Sequence, residues 1–250
     1  METRWRIVLV VVAVAAVLVL GPDPALAGPG GKIASGFAKT FLGKVVLTAL
    51  AIVLLPLIVW VMVQEHRASK RALADLARLR GVDPAFDWLT VKDRVTDCFH
   101  RVHSAWRKED MADASEWMTG WYWQNQQLAH LNRWAAQGLV NHCTVKSVGR
   151  IRPLFLACRN DGGGFSGSRL VVSIAAKMED YLEERASGKV VEGKKGYDDT
   201  ETVWTFVLER GLWRVAAIED DSVTLMYARM ANELPALLPE VKPASARQGI

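Results

Sequence analysis

The chain has 250 residues, of which 50% are apolar and 23% charged, with 19 Gly, 9 Pro and 3 Cys. Such a composition excludes both a disordered polar chain and a small disulfide-stapled scaffold. The formal charge of +4 is unevenly placed: residues 1–67 carry +3, residues 68–80 another +3, and the remainder from Gly81 onward −2, so the part able to fold has no basic excess from which to build a nucleic-acid face.

In chain order, Arg4 and Arg6, the unbroken apolar run Ile7–Leu20 and Ala25-Leu26-Ala27 before Gly28 read as a secretory signal over residues 1–27. That run rises only about 21 Å as a helix, short of the hydrocarbon core of roughly 30 Å. Residues 28–44 form a Gly-containing linker. Val45–Val63 is an uncharged run of 19 residues, long enough to span a bilayer as a transmembrane helix, with Pro56 inside it and Trp60 near one end, where an aromatic anchor belongs. Whether or not the signal is cleaved, this arrangement predicts a single-pass inner-membrane protein with residues 64–250 in the cytoplasm. Arg67, Lys70, Arg71, Arg78 and Arg80 after the span agree with the positive-inside rule. Cys98, Cys143 and Cys158 are odd in number and lack CxxC spacing, which suits a reducing compartment.

Residues 64–81 place Ala68, Ala72, Leu73, Leu76 and Leu79 at helical spacing, with Arg67, Lys70, Arg71 and Arg78 on other faces. Two readings stand: a basic amphipathic helix on anionic head groups, with those four residues at the membrane surface, or a solvated spacer continuing the span. Residues 82–234 form the folded module, and residues 235–250, with Pro235, Pro239 and Pro243, a loose tail.

Inside the module, Val91, Val95, Cys98/Phe99, Val102 and Trp106 recur over four turns and predict a helix with one buried face. Asp110-Met111-Ala112-Asp113 breaks it, and a short helix carrying Trp117 and Met118 is expected next. A longer helix follows from about Trp121 to Gln137, with Gly138 as its C-cap. Val145, Val148, Ile151 and Leu154-Phe155-Leu156 then read as a strand, followed by Arg169–Leu182, Glu201–Leu208 and Trp213–Ile218, the last two joined by a tight Arg210-Gly211 hairpin. Three helices followed by four strands imply an α+β design with helices on one face of an antiparallel sheet.

These residues resemble a known family. The helix ending Ala105-Trp106-Arg107-Lys108-Glu109-Asp110, the segment Gln137-Gly138-Leu139-Val140-Asn141, the strand opening on Val145-Lys146-Ser147-Val148, and the later Ala175–Tyr181, Thr202–Phe206 and Trp213–Ile218 occur in the order of the C-terminal (Tim44-like) domain family of the mitochondrial inner-membrane translocase subunit 44. The similarity covers about residues 86–234, and bacterial membrane-anchored members carry a similar signal, linker and single span. The resemblance implies a cone-shaped fold like that of nuclear transport factor 2, a membrane location and scaffolding work, with mitochondrial relatives holding an import chaperone at a pore or a ribosome at the membrane. The chaperone-binding N-terminal region has no counterpart in residues 28–44.

Chemistry-bearing patterns are sparse. His100 and His103 share a helix face, but Cys98 lies about 200° away from His100, and His142-Cys143 is distant, so no metal site is assigned. Asp161-Gly162-Gly163-Gly164 lacks the Gly-Lys-Ser/Thr of a phosphate cradle and reads as a hairpin loop. Asp180, Tyr181 and Glu219 are the candidates for acid/base work in a cone cavity, although no catalytic or cofactor-binding residue is assigned. Trp117, Trp121, Trp123 and Trp134 crowd the helical half and either line a groove for a protein partner or lipid, or fill the interior; Trp121 and Trp123, about 200° apart, cannot face the same way.

The expected function is a non-enzymatic scaffold or adaptor, linked to protein transport, whose domain binds membrane lipid, a protein partner or a second copy of itself, and no nucleic acid. The alternatives are an isomerase- or hydrolase-like enzyme using the cavity, and a secretion-channel component with its domain outside.

Overall fold

The computed structural model describes residues 41–160 and 164–235, with side chains placed at 52 and from 54 onward. The expected signal, linker residues 28–40, residues 161–163 of the glycine-rich turn and the tail from 236 lie outside the described residues. The chain divides into two compact units, Met1–Val63 and Gln64–Ile250.

In the first unit the described residues belong to helix α1 (Phe41–Leu79), which contains Pro56 and whose residues 64–79 fall in the second unit. Among the described residues no helix is long and apolar enough to cross a membrane; residues 45–51 and 53 of the expected span have no described side chains.

In the second unit, the stripe Ala68, Ala72, Leu76 and Leu79 is at most 1% exposed, so residues 64–79 fold with the domain. Asp83 caps a 3-10 turn (Pro84–Phe86), and Asp87 caps α2 (Trp88–Lys108) by accepting from the Thr90 N–H. The expected buried face of α2 is observed in Val91, Val95, Cys98, Phe99 and Val102, extended by Ala105. Glu109, left-handed at φ 61, ends the helix, and its N–H returns to the Ala105 and Trp106 carbonyls. Asp110 then caps a second 3-10 turn (Met111–Ala114).

The expected helix carrying Trp117 and Met118 does not form. Met118 bridges in parallel with Val215, whose carbonyl accepts from the Thr119 N–H at 2.9 Å and whose N–H donates to the Trp117 carbonyl at 2.8 Å. Pairing with Val215 thus satisfies the Trp117 carbonyl and the Thr119 N–H, groups that a continued helix would have used. The expected helix from Trp121 is instead α3 (Gly120–Gln126), a π-helical turn (Gln127–Asn132) and α4 (Arg133–Ala136), closed by Gly138 at φ 69. Gln127 holds the π turn: its Oε1 accepts from the Met111 N–H and its Nε2 donates to Asn132 Oδ1, both at 2.8 Å.

The sheet is an antiparallel meander of β1 (Leu139–Ala157), β2 (Arg169–Glu184), β3 (Val190–Glu209) and β4 (Leu212–Asp220) in sequence order. Register shifts interrupt every pair of strands and bend the sheet. Pro153 is tolerated because it sits at one such irregularity on an edge strand. The expected turn is present, with Arg210 at φ 53 and Gly211 at φ 78, the pair of positive values a type I′ hairpin requires.

Both faces of the sheet are covered. Leu170, Val172, Ile174, Trp204 and Phe206 join the helices in the main core, while Leu154, Phe155, Val171 and Val203 form a second cluster with Tyr227 and Met230. The latter pair belongs to α5 (Thr224–Arg229) and the segment after it. That segment threads between elements: Glu233 exchanges hydrogen bonds with Cys158 (2.7 Å) and Leu156 (2.9 Å), and Asn232 Nδ2 donates to Asp75 at 2.7 Å. Arg71 donates to the Ala228 and Met230 carbonyls at 2.8 and 3.0 Å. Four antiparallel strands, with the main helical layer on one face and the short α5 on the other where helices on one face alone were expected, make an α+β domain consistent with the nuclear transport factor 2-like expectation.

Candidate functional site

A cavity of about 390 Å³ lies between the helices and the sheet, within the volume range of small-ligand sites. α2 contributes Val102, His103 and Trp106; the wall from α3 to α4 contributes Tyr122, Gln126, His130 and Trp134. Asn141 and Cys143 on β1, Met178 and Asp180 on β2, Thr200 and Thr202 on β3 and Ile218 on β4 complete it. Their spacing of two along each strand puts them on one face of the sheet. Three mutually tilted rings form one wall: Trp106, His130 and Trp134 lie 5.5 to 5.6 Å apart, centroid to centroid.

The opposite end is polar. The β2–β3 register slips between Met178 and Asp180, and the Glu179 carboxylate is drawn aside to accept from the Gly196 N–H at 2.5 Å. Gly193 permits the close approach of β3, since a Cβ there would stand 2.5 Å from the Asp180 carbonyl oxygen and its φ is 74. A smaller cavity of about 250 Å³, lined by Tyr181, Leu182, Glu192 and Gly193, shares Trp134, Asn141 and Asp180 with the first.

Burial sets the protonation states. His103 Nδ1 donates to the Phe99 carbonyl at 2.7 Å, its ring is 4.1 Å from that of Phe99, and desolvation pulls its pKa down to about 4. His130 is also lowered, by burial first and then by Arg133. Cys143 and Tyr122 are both pushed up to about 12 by desolvation. Asp180 is raised by burial, an effect opposed by the Asn141 amide and reinforced by Glu192. At neutral pH the imidazoles are therefore uncharged, and no Lys or Arg is among the described residues lining the cavity.

His103 gives a direct expectation. The unfolded chain protonates this group near 6.5 and the folded protein only near 4, so acid favours the unfolded state across that window. Chemical denaturation followed between pH 7 and pH 4 should lose about 3 kcal/mol from this group alone. The variant His103→Phe should lose that share of the pH slope; an unchanged slope would refute the assignment.

The sequence-derived candidates scatter. Trp134 lines the cavity, whereas Trp117 lies outside it, donating to Asp97 Oδ2 at 2.6 Å beneath the Arg101 and Arg94 guanidinium groups. Trp123 packs half-buried against the core, and Trp121 is 72% exposed. Asp180 faces the cavity, but Tyr181 stacks on His142 at 4.7 Å outside it, and Glu219 accepts from the Tyr227 hydroxyl at 3.1 Å. Of the metal candidates, Cys98 is buried against the Trp117 carbonyl with its thiol pushed up to about 12, and His142 pairs with Glu183 at 3.1 Å. No cluster of His, Cys, Asp or Glu that could hold a metal ion occurs among the described residues. Of the basic residues following position 63, Arg67 and Lys70 are exposed, Arg71 is held by carbonyls, and Arg78 lies 3.5 Å from Asp75. Gln126, His130 and Asn141 were missed; a lone Asn at an inward strand position was the only signal for the last.

A family model described as "Tim44-like domain" matches residues 73–220. Among solved structures, the crystal structure of the intermembrane space region of chloroplast protein ARC6 is similar at 13% identity, covering 54% of this chain and 98% of that one, with a TM-score of 0.33. No curated protein matches the chain.

Proposed function

This chain belongs to the Tim44-like domain family, and on that footing we propose that it is a non-enzymatic, membrane-associated scaffold that holds a protein partner at the inner membrane in a transport-related role. Residues 45–63 span the membrane, residues 64–250 face the cytoplasm, and the exposed Arg67 and Lys70 lie at the anionic surface. The observation that carries the partner-binding part is Trp121, 72% exposed, with Leu128, 66% exposed, seven residues on along the same side of the helical wall. An exposed indole together with an exposed aliphatic side chain two turns on is the composition of a binding hot spot.

A photo-crosslinking residue placed at 121 or 128 in full-length protein in native membranes tests this. A discrete protein adduct at both positions, with none at the exposed position 212 that begins β4, is the expected result. The double variant Trp121→Ala/Leu128→Ser should reduce copurification of that adduct's protein about tenfold without lowering the thermal midpoint. Adducts equally strong at 212, or extraction of the chain from membranes by carbonate, would overturn the reading.

A further inference from the structure

The cavity's polar end is chemically incomplete. Asn141 is only 9% exposed, its side chain lies against Asp180, and its Oδ1 is buried without a hydrogen-bond partner. Asp180 has no cationic partner among the described residues. Lys194, opposite it in the strand register, is turned to Asp198 at 2.6 Å, and the neighbouring Lys195 to Glu183 at 2.9 Å. Glu192 at the adjoining cavity adds a second carboxylate. The site therefore offers one unpaired buried acceptor and negative charge, and no Lys or Arg among the described lining residues to neutralise that charge.

We infer that this cavity binds a protonated primary amine on a hydrocarbon chain, with the ammonium between the Asp180 carboxylate and Asn141 Oδ1 and the chain along Trp106, Trp134 and Tyr122. The chemistry discriminates between ligand classes. An acyl chain alone would leave the buried Asn141 Oδ1 without a donor. A quaternary ammonium has no N–H for Asn141. An anion would meet Asp180 and Glu192. A hard divalent cation needs six or more oxygen ligands, and the polar end supplies the Asp180 and Glu192 carboxylates and one amide. An ammonium supplies three N–H donors and the missing positive charge. This inference stands apart from the partner-binding reading, because Trp121 and Leu128 line neither cavity.

Titration calorimetry on the full-length chain with n-hexylammonium and with 1-hexanol, against a detergent blank, tests it. The ammonium should bind at least tenfold tighter than the alcohol, and Asp180→Asn, which keeps the shape and removes the charge, should erase that preference. Asn141→Leu should weaken the ammonium more than the alcohol, and Leu89→Ala, at an exposed position of α2, should change neither. Equal affinity for the two probes in the unaltered protein, a comparison that needs no variant to fold, would overturn the proposal. Undiminished ammonium binding by a folded Asp180→Asn protein would do so as well.

Discussion

Replacing Trp204 by alanine is expected to cost about 3–5 kcal/mol of unfolding free energy, the largest single effect in this domain. Trp204 is fully buried on β3, with its ring 5.1 Å from that of Phe99 on α2, 5.7 Å from that of His103 and 6.2 Å from that of Phe206. Its Nε1 donates to Thr202 Oγ1 at 2.9 Å, so the polar edge of the indole is satisfied inside the core. Alanine would open a hole between the helical layer and the sheet, next to an existing cavity, where surrounding side chains have little to collapse onto. Trp204→Phe should retain well over half of the lost stability. The exposed Leu89 is the comparison: Leu89→Ala should stay within about 0.5 kcal/mol. Urea denaturation of the three variants at pH 7 distinguishes these outcomes, and a cost for Trp204→Ala no greater than that for Leu89→Ala would contradict the packing described.

The second large effect is at Arg152. Its guanidinium bridges Glu65 on α1 at 2.7 Å and Glu201 on β3 at 2.5 Å, and Glu201 also accepts from the Ser173 hydroxyl. All three charged side chains are less than a third exposed. Arg152→Met is expected to cost about 2–4 kcal/mol, because two carboxylates lose their shared cation while remaining desolvated. For Glu201 burial is the largest single influence and raises the pKa, but Ser173 and Arg152 together outweigh it and leave the group below its ordinary value. Its stabilising contribution is thus present above the usual carboxylate range and is lost as pH falls through the lowered value. The difference between the unaltered protein and Arg152→Met should consequently shrink on acidification. Replacing Glu65, Arg152 and Glu201 together by Met should recover most of the loss at pH 7, as expected when the penalty comes from stranded charge rather than missing attraction.

How far the fold was legible depended on whether one face of an element is dry. Val91, Val95, Cys98, Phe99 and Val102 recur at helical spacing between polar residues, and that helix was readable to within a turn at each end. The Arg210-Gly211 hairpin was readable because its strands are half-buried and its turn needs positive φ. The first half of β3, Val190 to Asp199, carries no apolar alternation because both its faces are wet; pairing with β2 alone makes it a strand. The stripe Ala68, Ala72, Leu76, Leu79 was visible as apolar, but periodicity tells which face is covered and not what covers it. The cavity was illegible for a related reason: Trp106, Asn141, Asp180 and Ile218 come from four separate elements, and no local pattern reports that strand pairing brings them together.

The segment that ends the described chain carries a temporal consequence. Arg71 and Asp75 reach their partners at Ala228, Met230 and Asn232 across sequence separations of 157 to 159. During synthesis, residues 71–75 therefore leave the ribosome long before the groups that complete their hydrogen bonds exist. At about 5–20 residues per second that interval is on the order of ten seconds or more. Through it, helix α1 has neither its carbonyl anchors nor its asparagine, and strand β1 lacks the backbone partners supplied at Glu233. Closure of this clasp is a long-range step and belongs late in folding.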